Sequence, residues 1–322
     1  MLVRFWGTRG SLPVAPHADV ILAKVARSLV AAAGRTFRDE AEAAEFAQTH
    51  LDFATHGGFG GASSCVEIEA GEDAFVVCDM GSGLREFGVN ALRRCAEGHP
   101  RVFHVFLSHM HWDHIMGLPY FRPAFDSGAK IVIHSGHPDA EQALRRQQEE
   151  ISFPVPFQAF RAHFEFVTHP PWVPFEAAGL KVSLIDQDHA HGSFGYRFER
   201  EGKAVVYSTD AEHPPVAEDM EAEDLFAAFF AKAELVICDT MYSLGDTVSL
   251  KLDSGHSSNI VAVDLCHEAG ARRLALFHHE PSYSDADIQR MHAETLRYEE
   301  LVRADRPKLE VVCAYDGLEL AV

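Results

Sequence analysis

Ser108-His109-Met110-His111-Trp112-Asp113-His114 sets four possible metal ligands within six residues, directly after the apolar run Val102 to Leu107. A run of that length and character reads as a buried strand, so the ligands emerge where a strand ends. On an extended or tightly turning backbone His109 and His111 project to one side. The turn that follows can carry Asp113 and His114 to a neighbouring position, and one short loop then serves two adjacent metals. Imidazole with carboxylate suits Zn²⁺, Mn²⁺ or iron, and a two-metal site spans about 3.5 to 4 Å. Packing alone does not ask for such a density of ligands.

Outward from this loop, further strand-length apolar runs bounded by Gly, Pro, Asp or charge lie at 2–6, 64–69, 74–78, 130–134, 163–168, 180–185, 194–200, 204–208, 235–238, 273–277 and 309–312. Helical spacing appears at 84–95, 139–149, 215–232, 257–269 and 285–303. Strands dominate early and again in the middle with helices interspersed, which predicts an α/β layered sandwich and not a regular βαβ repeat. Residues 18–51 are Ala-rich, broken at Gly34, and read as a helical hairpin inserted before Gly57-Gly58-Phe59-Gly60-Gly61. Residues 153–172 set Pro154, Pro156, Pro170 and Pro171 among aromatics, a composition suited to a loop wrapping a site, as a lid, or to simple packing. With no repeat or low-complexity linker, 1–322 parses as a single domain.

The chain has 322 residues, 47% hydrophobic and 24% charged, enough to bury a large core. Its 28 Lys and Arg against 48 Asp and Glu give a net charge of −20, a field that repels polyanions and argues against a nucleic-acid partner. Twenty histidines invite a search for metal or acid–base chemistry. Six cysteines form no Cys-x-x-Cys pair, so a reducing compartment without disulfides is expected. No basic and apolar leader opens the sequence, and no stretch reaches the roughly 18 apolar residues of a membrane span, so a cytoplasmic protein without membrane contact is expected.

Four landmarks in order resemble the metallo-β-lactamase superfamily. His-x-His-x-Asp-His after an apolar strand is its signature. Phe5-Trp6-Gly7-Thr8-Arg9-Gly10-Ser11, Gly60-Gly61-Ala62-Ser63-Ser64-Cys65 and Cys78-Asp79-Met80-Gly81-Ser82-Gly83 are similar to the branch containing ribonuclease Z and small-molecule, cyclic nucleotide-type phosphodiesterases. The resemblance implies a four-layer αββα sandwich with two divalent metals at one edge, Zn²⁺ first among them, with Mn²⁺ or iron as alternatives.

Carried over by motif, the resemblance puts His109 and His111 on one metal, and Asp113 with His114 on the other. A third histidine comes from Asp188-His189-Ala190-His191-Gly192-Ser193-Phe194-Gly195-Tyr196. A ligand six residues before Gly-Tyr selects His189, with His191 as the competing neighbour. Asp210, after Val205-Val206-Tyr207-Ser208-Thr209, is the bridging carboxylate, and His278 is the last ligand. His256, in Ser254-Gly255-His256-Ser257-Ser258, resembles the histidine that the phosphodiesterase branch presents to the scissile phosphate; its plainer role is a helix-start residue. Asp79 either orients a metal histidine or caps a strand end.

The function so implied is a binuclear metal-dependent hydrolase, a phosphodiesterase that cleaves a small, even cyclic, phosphodiester with metal-activated water; Asp113 and His256 are its catalytic candidates. Thioester or lactone hydrolysis of the glyoxalase II type, ribonuclease Z-like cleavage and a non-catalytic metal- or ligand-binding role are the alternatives. Ribonuclease Z relatives carry a basic projecting arm that this chain lacks. A homodimer built partly on the 18–51 insert is expected.

Overall fold

The computed structural model describes residues 1–69, 71, 73–213, 220–243, 245 and 255–322. Among these residues fourteen strands make two seven-stranded sheets. The first sheet contains β1 (Leu2–Gly7), β2 (Cys65–Glu69), β3 (Phe75–Cys78), β4 (Val102–Leu107), β5 (Lys130–Ser135), β6 (His163–Thr168) and, last in sequence, β14 (Glu319–Ala321), in the order β14-β1-β2-β3-β4-β5-β6. The second runs β13-β12-β11-β10-β9-β8-β7, from β7 (Phe175–Ala177), β8 (Leu180–Gln187), β9 (Ser193–Arg200), β10 (Lys203–Ser208), β11 (Leu235–Asp239) and β12 (Arg273–Phe277) to β13 (Glu310–Cys313). In each sheet antiparallel pairing gives way to parallel pairing, along β3-β4-β5-β6 and along β10-β11-β12-β13.

Buried side chains sort into three layers of core, which makes four layers of structure. Phe5, Val66, Val76 and Phe106 of the first sheet meet Val182, Tyr196, Phe198, Val205 and Phe277 of the second. Under the first sheet, Phe75, Phe103 and Ile131 pack on Leu84, Phe87 and Ala91 of α4 (Leu84–Ala96) and on Leu144 of α6 (Ala140–Arg146). Over the second, Val206, Val236 and Leu274 pack on Phe226 and Phe230 of α7 (Met220–Phe230), on Val263 and Cys266 of α8 (Asn259–Ala269) and on Ile288 of α9 (Asp285–Val302). β3 and β11 are buried at every position, so they read as unbroken apolar runs instead of alternating ones. The helix starts follow capping chemistry: Ser258 accepts from the Val261 amide, and Ser284 with Asp287 closes a capping box at α9. The result is the αββα sandwich.

All twelve strand-like runs of the sequence are strands. The two additional ones, β7 and β14, are three residues each and sit on sheet edges, too short to carry a periodic signal. The 139–149 pattern yields helix only over Ala140–Arg146, and part of the 215–232 pattern lies outside the described residues. The insert forms α1 (Ala18–Ala31) and α2 (Glu40–His50), followed by the single turn α3 (Phe53–His56). The 153–172 segment is not a free loop. The 163–168 run is edge strand β6, and Phe157, Phe160 and Phe164 pack against one another beside the α6 residue Arg145, which consumes in packing the aromatics that a lid would present. The six cysteines are free, five of them buried. No helix among the described residues is long and apolar enough to cross a membrane.

Candidate metal centre

The parallel strands deliver their chemistry at their carboxyl ends, where open α/β sheets place ligands. Asp79 follows β3, Ser108 and His109 follow β4, Asp210 comes two residues after β10, Asp239 ends β11 and His278 follows β12. Three of these residues have left-handed backbones: Asp79 (φ 59°), Asp210 (φ 42°) and His278 (φ 62°). A non-glycine residue with positive φ costs conformational energy, and its recurrence on site residues shows the backbone bent to aim side chains.

The loop after β4 closes into the single turn α5 (Trp112–Ile115), which buries Asp113 and His114 and leaves Trp112 exposed. Three sequence landmarks hold it. The Ser11 amide donates to Asp113 Oδ2 at 2.9 Å, Ser63 Oγ donates to the Asp113 carbonyl at 2.8 Å, and the Met80 amide donates to the His114 carbonyl at 2.8 Å. Position 81 is glycine because a Cβ there would lie 2.4 Å from the Asp113 carbonyl oxygen.

Two donor clusters result, sharing one carboxylate. His109, His111, His189 and Asp210 form the first, and Asp113, His114, His278 and Asp210 the second; within each, one donor atom per residue lies within 4.8 Å of every other. Asp210 turns Oδ2 to the first cluster, 3.7 Å from both His109 Nε2 and His189 Nε2. Its Oδ1 faces the second, 3.1 Å from both His114 Nε2 and His278 Nε2. Asp113 Oδ2 is 3.0 Å from His114 Nε2 and 3.3 Å from His278 Nε2.

The outer faces of three of the imidazoles, those of His109, His114 and His189, are occupied. His114 Nδ1 donates to Asp79 Oδ2 at 2.7 Å, His109 Nδ1 to Ser108 Oγ at 3.0 Å, and His189 Nδ1 to the Gly255 carbonyl at 2.7 Å. These acceptors hold the three rings with Nε2 turned inward, the arrangement of metal-binding histidines. Asp79 in turn accepts from the Ser108 amide and hydroxyl at 2.7 and 2.8 Å and from Tyr207 Oη at 2.7 Å. Burial, seconded by His114, holds His109 well below the usual histidine range, which keeps it a neutral donor. Burial acts on His114 in the same direction, but the carboxylates of Asp113, Asp210 and Asp79 outweigh it and hold that imidazole well above the usual range. Asp210 is held well below the carboxylate range: burial opposes ionisation, and His114, His278 and His109 override it.

A third group adjoins the second cluster. His256 Nδ1 donates to Asp239 Oδ2 at 2.8 Å, and the His256 ring stacks on His278 with centroids 5.1 Å apart. Burial would strip the His256 proton, but Asp239, then Asp210 and Asp113, push its pKa up to about 9. The Gly255 amide is fixed by Glu212 Oε2 at 2.9 Å, and Gly255 itself has φ +74° with its absent Cβ 2.6 Å from His189 Nδ1.

The structure thus assembles His109, His111, Asp113, His114, His189, Asp210 and His278 in one place, with His256 beside them. His191 is the outlying member of its pair: it is exposed, and its ring centroid is 6.5 Å from that of His111, against 4.9 Å for His189. Asp239, Glu212 and Ser11 were not assigned from sequence. Asp239 had a usable signal, an aspartate at the end of a buried run like Asp79; Glu212, whose carboxylate accepts from the Gly255 amide, and Ser11, which donates its own amide, have none.

These residues fit a pair of divalent cations. His109 Nε2 is buried without a hydrogen-bond partner, and imidazole with carboxylate is the donor set of Zn²⁺, Mn²⁺ and iron. Three carboxylates around His114 demand positive charge that a cation would supply. Asp210 turns one oxygen toward each cluster.

Residues 75–279 match the model of a family described as a beta-lactamase superfamily domain. Among curated proteins the chain is 24% identical over 242 residues to ribonuclease BN of Proteus mirabilis (strain HI4320), covering 60% of this chain and 76% of that one. Among solved structures it is similar to the metallo-beta-lactamase fold protein YhfI from Bacillus subtilis (TM-score 0.63, 18% identity, 99% of this chain and 98% of that one). It is also similar to a diphosphatase from the PhnP family (TM-score 0.60, 18% identity, 100% and 97%). At these identities the two structures establish a common fold.

Proposed function

The chain belongs to the beta-lactamase superfamily, and from the geometry of its donors we propose that it is a binuclear metal-dependent phosphodiesterase acting on a small phosphodiester. One observation carries this reading: a buried carboxylate, Asp210, divides its oxygens between two donor clusters while a carboxylate-paired imidazole, His256, stands against the second.

His109, His111, His189 and Asp210 would hold one cation, and Asp113, His114, His278 and Asp210 the other. Divalent cations held there would supply Lewis acidity, lowering the pKa of bound water and drawing charge from a phosphoryl oxygen. The protein's own groups do the rest. Asp113, fixed by the Ser11 amide, faces the second cluster with its orientation set before substrate arrives. His256, oriented by Asp239, offers its Nε2 proton to the departing oxygen. A leaving alkoxide is strongly basic and needs that proton; a thiolate, with a conjugate acid near 8.5, scarcely does. The pair therefore favours diester over thioester chemistry.

Substrate size rests on charge. A chain of net −20 gains nothing from a long phosphate backbone, whereas two cations neutralise a single phosphate locally. The curated relative is named a ribonuclease, so the charge argument against nucleic acid finds no support there, and RNA cleavage is the second reading. The PhnP-family neighbour is a diphosphatase, an activity that suits a small phosphorylated substrate.

The test is hydrolysis of bis(p-nitrophenyl) phosphate by protein stripped of metal and reloaded, with Asp113→Ala as control, beside a structured RNA and a thioester. Turnover that returns with metal, is lost in the variant and exceeds that on RNA is expected. Metal-loaded protein that cleaves thioesters or RNA but no small diester would end this reading.

A further inference from the structure

We propose that the α1 face of the insert is a self-association surface, covered in solution by a second copy of this chain. α1 has fourteen residues and buries none of them, yet it carries Val20, Ile21, Leu22, Val25, Leu29 and Val30, all exposed, Val30 to 76%. A helix earns its stability in water mainly by covering one apolar face, and here that face is bare. Lys24 fastens the helix to the body through the Gly57 carbonyl and Asp285, so α1 is held in place and not merely tethered.

The face has two parts. Ile21, Val25 and Leu29 line a cavity of about 620 Å³ with Phe37 and Phe46. Leu22 and Val30, eight apart with Ala26 between them, form a ridge one step around the same helix. A ridge beside a groove is the surface that a two-fold partner needs, each copy filling the groove of the other. The six aliphatic side chains expose roughly 500 Å², the size of the largest patch on a monomer. A standard interface takes about 800 Å² per partner, so the α2 wall of the groove must contribute the remainder.

Charge selects the occupant. Two copies at −20 repel over most of their surface, but the 18–51 insert has four Lys or Arg against five Asp or Glu and is nearly neutral. Within it α1 carries Arg27 and Asp19 besides the Lys24 already paired with Asp285, so its outer face adds no net charge to oppose a second copy. An anionic lipid surface would be repelled by the same body.

Light scattering on the full chain at micromolar concentration tests this. A mass of about 71 kDa, twice 35.6 kDa, is expected. Leu22→Glu with Val30→Glu should give the monomer with unchanged melting, and the milder Leu22→Ser with Val30→Ser should weaken association at least tenfold. Ile151→Glu, at an equally bare position elsewhere, should remain dimeric. A monomeric wild type, a double variant that stays dimeric, or a monomer that binds phosphatidylcholine vesicles through this face overturns the proposal.

Discussion

Asp79 and His114 are joined at 2.7 Å beneath the candidate centre, Oδ2 of the buried carboxylate accepting from Nδ1 of the buried imidazole. Asp79 also collects the Ser108 hydroxyl and Tyr207 Oη, so it locks β3, β4 and β10 together behind the ligands. Asp79→Asn is expected to weaken metal binding by about 10- to 100-fold, read by competition with a chromogenic chelator. Asp79→Ala should also lower stability by about 1–3 kcal/mol for each hydroxyl left unpaired; unchanged affinity in both variants contradicts the role.

His256 is tested by leaving group. His256→Ala should leave metal content unaltered and cut the rate on an alkyl diester by about 10²- to 10⁴-fold. The loss on bis(p-nitrophenyl) phosphate should be far smaller, because p-nitrophenolate departs without a proton. Equal losses on both substrates would mean that His256 binds or positions and transfers no proton.

Gly255→Ala would force a side chain onto a backbone at φ +74° and a Cβ to within 2.6 Å of His189 Nδ1. The expected result is loss of the His189 orientation, with one metal equivalent binding weakly and the other unaffected. Stoichiometry by elemental analysis after dialysis distinguishes this from general misfolding, which would release both.

A row of three histidines crosses the first sheet away from the centre. His104 Nδ1 lies 2.9 Å from His134 Nε2, and His134 Nδ1 lies 2.9 Å from His169 Nε2, with His134 stacked on Phe106. Burial pulls all three down, aided at His134 by its two neighbours and at His104 by Lys130, and His134 falls to about 3. The unfolded chain therefore takes up these protons first, near pH 6.5, so stability is full above that value and declines as pH falls toward 3. Denaturant melts between pH 7 and 4 should show a loss of a few kcal/mol, and His134→Phe should flatten that slope.

The loop 108–114 was legible because its ligands are contiguous, and the strands because short buried runs bounded by breakers have few other readings. Asp210 and His278 were reached by resemblance, since a ligand-type residue near a strand end marks a candidate without saying which cluster it joins. The resemblance favoured His189 over His191, and the structure keeps His189 in the donor cluster while a turn leaves His191 at φ 68° and exposed. The Asp239–His256 contact joins residues seventeen apart across a strand end and a helix start, a proximity that spacing does not encode. For 153–172 the composition left lid and packing open, and the pairing of its 163–168 run with β5, which decides for packing, is not written in that composition.

The donors come from both sheets: His109 to His114 from the first, Asp210 and His278 from the second. Cations seated there would rivet the two halves of the sandwich across their seam, and a ligand that binds only the assembled state adds RT ln(1 + [L]/Kd) to stability. Heat resistance would then track the supply of metal in the surroundings. Starvation for the ion would be felt first as fragility of the whole molecule, before any question of turnover arose.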